Sequence, residues 1–208
     1  MDTYRDMPAV PADSILEASR ILEASFSSGG KLLICGNGGS AADSSHLAGE
    51  LVKSYERKRP ISAKLAHMLV SVSSERGPRL ASGLHFGLPA ISLAADGAVM
   101  SAISNDMGSD LVFAQQVIAL GKAGDVLLCI STSGSSDNVV NAAIAAKAAG
   151  ISVIGLVGPA DSMLARLSDL ALAAGEGRTS LIQAAHQKAY HDLCTIIESH
   201  ILKADSGS

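Results

Sequence analysis

The chain has 208 residues, of which 48% are hydrophobic and only 3% aromatic, with no Trp and a formal net charge of −4. A chain of this size fits one domain and buries roughly 70% of its unfolded surface. Acids and bases are mixed, with no basic stripe and few aromatic rings for base stacking. That balance argues against nucleic acid or an anionic membrane as partner.

Residues 1–12 carry acids and prolines rather than an apolar core, so they read as an N-terminal extension and not a signal peptide. Ser14 and Glu17 form a capping-box pattern, and Ile15, Ala18, Ile21 and Leu22 follow at helical spacing. Gly29-Gly30 ends that helix. Residues 31–35 are an apolar run of strand length, closed at once by Gly36-Asn37-Gly38-Gly39-Ser40. Helical patterning resumes over 41–55 and breaks at Arg59-Pro60.

Residues 61–88 suggest a further helix around Leu65, Met68 and Leu69, then a turn at 74–78. Strands are predicted at 89–93, 125–130, 151–157 and 170–174, with helices at 99–103, 111–120, 138–149, 162–167 and 180–202. Residues 203–208 read as a frayed tail. Apolar strands alternating with helices predict an α/β fold: a five-stranded parallel sheet flanked by helices on both faces. No apolar stretch approaches the length of about 18 residues that a membrane span requires.

Cys35, Cys129 and Cys194 are widely spaced with no Cys-x-x-Cys pair, which excludes a zinc finger and points to buried free thiols in a reducing, cytoplasmic setting. Ligands of open parallel sheets bind at the carboxyl ends of strands. Two glycine and hydroxyl clusters fall there, at residues 36–40 and 131–136. Helix N-termini present free N–H groups and partial positive charge, and neither cluster contains Lys or Arg. A compact phosphate monoester suits such neutral donors better than a triphosphate does. The competing reading is that the Ser and Asn side chains simply cap their helices. Gly36-Asn37-Gly38-Gly39-Ser40-Ala41 also fits a relaxed dinucleotide fingerprint, but no second strand ends in an acid about 20 residues on. The nucleotide P-loop lacks its Gly-Lys-[Ser/Thr] ending.

His46 and Glu50 share a helix face at i, i+4, and Gln183, Gln187 and His191 form a polar stripe on the last helix. Together they offer a base, an acid and ligands for a metal. His186 and Tyr190 lie on another face and read as structural.

Three segments carry a resemblance: 35–43, 130–138, and Ile182-Gln183 with His191. They are similar to the sugar-isomerase (SIS) family and, within it, to the phosphoheptose isomerases. Ser104-Asn105-Asp106, Gln115-Gln116-Val117 and residues 124–128 match as well, so the resemblance runs in order through residues 14–202. It implies a single SIS-type domain over 1–208 that isomerises sedoheptulose 7-phosphate to D-glycero-D-manno-heptose 7-phosphate. Asn37, Gly38, Gly39, Asn105 and Asp106 would face the sugar, and Ser131, Thr132, Ser133 and Ser136 its phosphate. Glu50 and His191 would be the acid–base pair, with Gln183 touching substrate or metal. Zinc would be held by His46, Glu50, Gln183 and His191, in a homotetramer with sites at subunit interfaces.

Three features depart from that family: a shortened N-terminal region, the insertion 61–88, and Ser54 where some members have Arg. Arg76, Arg79 or His85 of the insertion are candidates for tuning substrate choice. Three alternatives fit the same pattern: a non-catalytic scaffold of the replication-initiator-associating type, an isomerase of another ketose phosphate, and a phosphosugar-sensing module. The scaffold branch lacks the Glu and the final His, both of which are present here.

Overall fold

A computed structural model describes residues 8–206, and the first seven residues of the predicted N-terminal extension lie outside it. Among the described residues one sheet is formed from β1 (Leu32–Gly36), β2 (Ala90–Ser92), β3 (Val126–Ser131), β4 (Ser152–Val157) and β5 (Leu170–Ala173). All pairings are parallel, in the order β2-β1-β3-β4-β5. The chain leaves β1 toward one edge, then crosses back to build the other half. The switch point therefore lies between the carboxyl ends of β1 and β3, where an open α/β sheet forms its crevice.

Side chains of the central strands alternate between two cores. Leu32, Ile34, Leu128 and Ile130 face α1 (Ala12–Ser27), α2 (Gly39–Val52) and α9 (Thr179–Ser206), packing with Leu22, Leu47 and Tyr190. Leu33, Cys35, Leu127 and Cys129 face the opposite side, covered by α6 (Val112–Leu120), α7 (Asp137–Ala148) and α8 (Met163–Leu167). Both faces are covered, which is why these strands read as continuous apolar runs rather than alternating ones. All three thiols are free and buried, Cys35 lying in register with Cys129 at an Sγ–Sγ distance of 3.7 Å.

Several predicted boundaries shift. The first helix begins at Ala12 with Pro11 as its N-cap, so Ser14 lies inside the first turn instead of capping it. Pro11 presets φ for the helix start but offers no side-chain acceptor, so the first turn carries no capping bond. The second helix stops at Val52, leaving Ser54 and Tyr55 in a loop. The last helix continues through Ser206, so residues 203–206 are helical rather than frayed.

The insertion folds into two helices, α3 (Ala63–Val72) and α4 (Gly77–Gly83). Ser62 caps α3 by accepting from the Leu65 amide. A bridge between Pro60 and His85 and a bond from Phe86 N to the Arg59 carbonyl close its neck. No residue of α3 is buried, and Leu65, Met68, Val70, Leu80, Leu84 and Phe86 are exposed. The remaining helix, α5 (Gly97–Asp106), follows β2 and is capped by Asp96.

Candidate active site

Both glycine and hydroxyl clusters sit at the switch point. The first ends β1 and opens α2, and the second ends β3 and opens α7. Gly38, the N-cap of α2, has φ 53° and ψ −117°, a conformation essentially restricted to glycine. Asn37 and Asn138 lock the two loops together through reciprocal amide bonds of 2.8 and 2.9 Å. The Ser131 hydroxyl accepts from Gly134 N at 3.1 Å and lies 3.3 Å from the Ser136 hydroxyl, which tightens the second loop into a cup.

The capping question raised by the sequence now has an answer. Ser62, Asp96 and Ser162 cap their helices through side-chain bonds. Gly38 and Ser136, at the starts of α2 and α7, make none, and neither do the residues that start α1, α4 and α6. The leading N–H groups of these two helices are therefore not taken up by a capping side chain, and they border a cleft of about 300 Å³. Asn37, Gly38, Gly39, Ser131, Thr132, Ser136 and Gln183 line it, together with Thr179, which the sequence reading missed. Ser133 lines an adjoining space of about 380 Å³ that shares Thr132 and Thr179. No Lys or Arg lines either space.

Helices α2 and α9 run side by side away from this cleft. At the near end the Gln183 amide packs on Gly39 so closely that a Cβ there would collide with it. Two turns further on, the His46 and His191 rings meet edge-on with centroids 5.1 Å apart. His46 Nε2 is 3.2 Å from Glu50 Oε1, and the other Glu50 oxygen is paired with Lys53. Burial raises the Glu50 pKa, but Lys53 and His46 outweigh it and hold the carboxyl below its usual value. Glu50 is thus a carboxylate at neutral pH.

Tyr190 is a correction to the sequence reading. Its hydroxyl is 3.1 Å from His46 Nδ1 and donates to Asp43 at 3.2 Å, so it orients the cluster instead of only filling the core. Burial and the neighbouring Asp43 push its pKa up to about 12, which keeps it a neutral phenol. Burial likewise raises Asp43, partly offset by the Tyr190 hydrogen bond. Lys53 carried no signal of its own in the sequence, and Asp43 closed the 35–43 segment without a role assigned to it. His186 is fully buried, its ring nitrogens make no hydrogen bond, and burial lowers its pKa while the Val157 backbone pulls weakly the other way.

The predicted zinc donors separate into two groups. His46, Glu50 and His191 are neighbours, and Tyr190 at Nδ1 leaves His46 Nε2 facing Glu50, so the side chains are of the types zinc takes. Gln183 stands apart, about 12 Å along the helix axis from His191 by the eight-residue spacing. Among the described residues no three His, Cys, Asp or Glu side chains already converge as a metal cluster. Asn105 and Asp106 also stand apart, at the end of α5, exposed and hydrogen-bonded to each other at 2.8 Å.

Fold and site define a phosphosugar-binding module of the SIS type. A family model described as the SIS domain matches residues 2–84 and 78–158, and the chain belongs to this family. Within it, the chain is similar to the phosphoheptose isomerase of Nitratidesulfovibrio vulgaris Hildenborough, 37% identical over 92% of this chain and 80% of that protein. The phosphoheptose isomerase of Roseiflexus is 40% identical over 87% of this chain and 78% of its own length. Among solved structures, phosphoheptose isomerase GmhA from Neisseria gonorrhoeae superposes with a TM-score of 0.73 at 34% identity, covering 90% of this chain and 86% of that one.

Proposed function

We propose that the protein is an aldose–ketose isomerase that converts sedoheptulose 7-phosphate to D-glycero-D-manno-heptose 7-phosphate through an enediol. The observation that carries this reading is the pair of helix N-termini that open on one cleft at the switch point, two helical turns from the His46, Glu50 and His191 cluster. The seven-residue spacing between Gly39 and His46 covers about 10 Å of helix axis. An extended seven-carbon sugar phosphate covers a comparable distance, with its phosphate at one end and its C1–C2 pair at the other.

In this reading the α7 amides and the hydroxyls of Ser131, Thr132, Ser133 and Ser136 hold the phosphate. Asn37, Gly38 and Gly39 face the sugar hydroxyls, with Gln183 across the cleft. The Glu50 carboxylate, once Lys53 releases it, takes the proton from the carbon beside the carbonyl and returns it to the neighbouring carbon. His191 moves the hydroxyl proton between the two oxygens. Zinc is part of the proposal, with His46, Glu50 and His191 as its holders, and when bound it supplies Lewis-acid polarisation of the carbonyl. Asn105 and Asp106 enter as sugar contacts only in an assembly. The exposed apolar residues of α3, α4 and α5 support the proposed homotetramer. The three unpaired thiols support a cytoplasmic setting.

The test is incubation of the purified protein with sedoheptulose 7-phosphate, with and without zinc, following the aldose by NMR. Glu50→Gln and His191→Ala are each expected to lower kcat by about 10²–10⁴-fold, the range for a lost acid or base. Tight phosphosugar binding by a folded wild type without turnover would move the assignment to a binding module or another ketose phosphate.

A further inference from the structure

The loop that follows α2 is held by an unusual anchor. Residues 53–59 leave the helix, and three successive amides, those of Tyr55, Glu56 and Arg57, converge on the carboxylate of Glu198 at 2.9, 2.9 and 2.8 Å. Successive backbone N–H groups turned to one side form an anion nest, here filled by a side chain from α9. Glu198 and Arg59 are both buried, with Arg59 Nε 3.7 Å from the carboxylate. Arg59 also bonds the carbonyls of Leu51 and Lys53, and Ser54 Oγ accepts from Arg59 N at 2.8 Å. The backbone at Tyr55 is thereby fixed from both sides.

That anchorage has a direction. Glu198 lies seven residues after His191 on α9, two turns along the same face. Tyr55 reaches back across those turns and lays its ring over the His191 imidazole, with centroids 5.8 Å apart and planes only 13° from parallel. His191 then has Tyr55 stacked on it, while His46 at 76° and Tyr190 at 64° meet it edge-on. The helix limits that side chain to a few χ1 rotamers, and the three rings bound the space its imidazole occupies.

We propose that Tyr55, anchored by Glu198, is a positioning residue that fixes the orientation of the His191 ring for proton transfer. The inference rests on the reading of His191 as half of the acid–base pair. It predicts a particular kinetic signature. Substrate affinity is set mainly at the phosphate cup, two turns away, whereas proton transfer depends on where the imidazole points. Loss of the stacked ring must therefore act on kcat and leave KM nearly alone. Tyr55→Phe keeps the ring and loses only the hydroxyl's bond to Thr195, so it must keep a kcat close to wild type, while Tyr55→Leu keeps the apolar bulk and loses the stack.

The experiment measures kcat and KM for sedoheptulose 7-phosphate, thermal melting, and crystal structures of wild type, Tyr55→Leu and Tyr55→Phe. The expected result is a kcat about tenfold lower for Tyr55→Leu at nearly unchanged KM, the scale of a small misplacement of a reacting group. His191 should leave its edge-on contact with His46 in that variant, and Tyr55→Phe should keep a kcat close to wild type. Equal losses in both variants, or wild-type kcat with a displaced His191, would overturn the proposal. A wild type that does not turn over this sugar would defeat the functional reading instead. The His191 orientation in the Tyr55→Leu crystal would still decide whether the stack holds the ring.

Discussion

Gly38 and Gly39 are adjacent, yet their substitution by Ala should give opposite signatures. Gly39 is the first residue of α2, and the three atoms nearest a Cβ built on it are the terminal atoms of the Gln183 amide. Alanine favours a helix over glycine by about 0.5–1 kcal/mol. Swinging the flexible Gln183 off its rotamer costs about 0.5–1.5 kcal/mol. The two nearly cancel, so Gly39→Ala should melt within about 2–4 °C of wild type, the shift that 1 kcal/mol produces in a protein of this size. The displaced amide, however, lines the cleft between the two glycine loops. We expect kcat/KM to fall by up to about 10²-fold, as misplaced positioning groups do. Gly38→Ala meets no neighbouring atom but forces alanine to φ 53°, ψ −117°, which should lower stability by about 1–3 kcal/mol. Calorimetry and the NMR turnover assay on the two variants separate the effects. A Gly39→Ala protein with wild-type kcat/KM would refute the idea that Gln183 has to lie against the bare backbone.

Asp125 is fully buried and accepts from Lys31 N at 3.0 Å, Lys31 Nζ at 2.5 Å and Lys122 N at 2.8 Å, tying β1 to β3. Removal by Asp125→Ala should cost about 3 kcal/mol by calorimetry, the lower part of the range for breaking a buried pair, because Lys31 keeps some contact with water. Burial raises its pKa, but the Lys31 and Lys122 bonds win and hold it below the ordinary 3.8. The stability it contributes is therefore present above that value and lost as pH falls through the lower folded pKa, so the acid limb of a pH–stability curve should flatten in Asp125→Asn. Deletion of residues 62–87 should leave the fold intact, since the bridge between Pro60 and His85 shows the two ends of the segment lying side by side, Leu88 N keeps its bond to the Leu51 carbonyl, and α3 buries nothing. If Arg76, Arg79 or His85 tune substrate choice, that deletant will change its preference among several phosphosugars. Unchanged kinetics would remove the idea.

Much of the fold is written locally. The apolar runs at β1, β3 and β4 and the glycines that close them mark strands and strand-to-helix turns without help from distant residues. The spacing of His46 with Glu50, and of Gln183 with Gln187 and His191, put those side chains on helix faces for the same reason. Boundaries slipped where a neighbour outside the local pattern intervened, as with Pro11 displacing Ser14 as the cap. The end of α2 at Val52 is another case, because the following loop is drawn onto Glu198.

What the sequence by itself determined is the order of elements, the parallel sheet, and two glycine and hydroxyl loops free of Lys and Arg at the ends of strands, because each follows from the periodicity and turn chemistry of a short segment. It did not determine how α9 docks on α2, and everything specific about the cluster of His46, Glu50 and His191 depends on that docking. Tyr190 reaches Asp43 and His46, Glu198 gathers the amides of 55–57, and Tyr55 covers His191 only because two helices more than 120 residues apart in the chain pack face to face on one side of the sheet. Such contacts are set by the shape of the whole core, so only the tertiary structure can decide them.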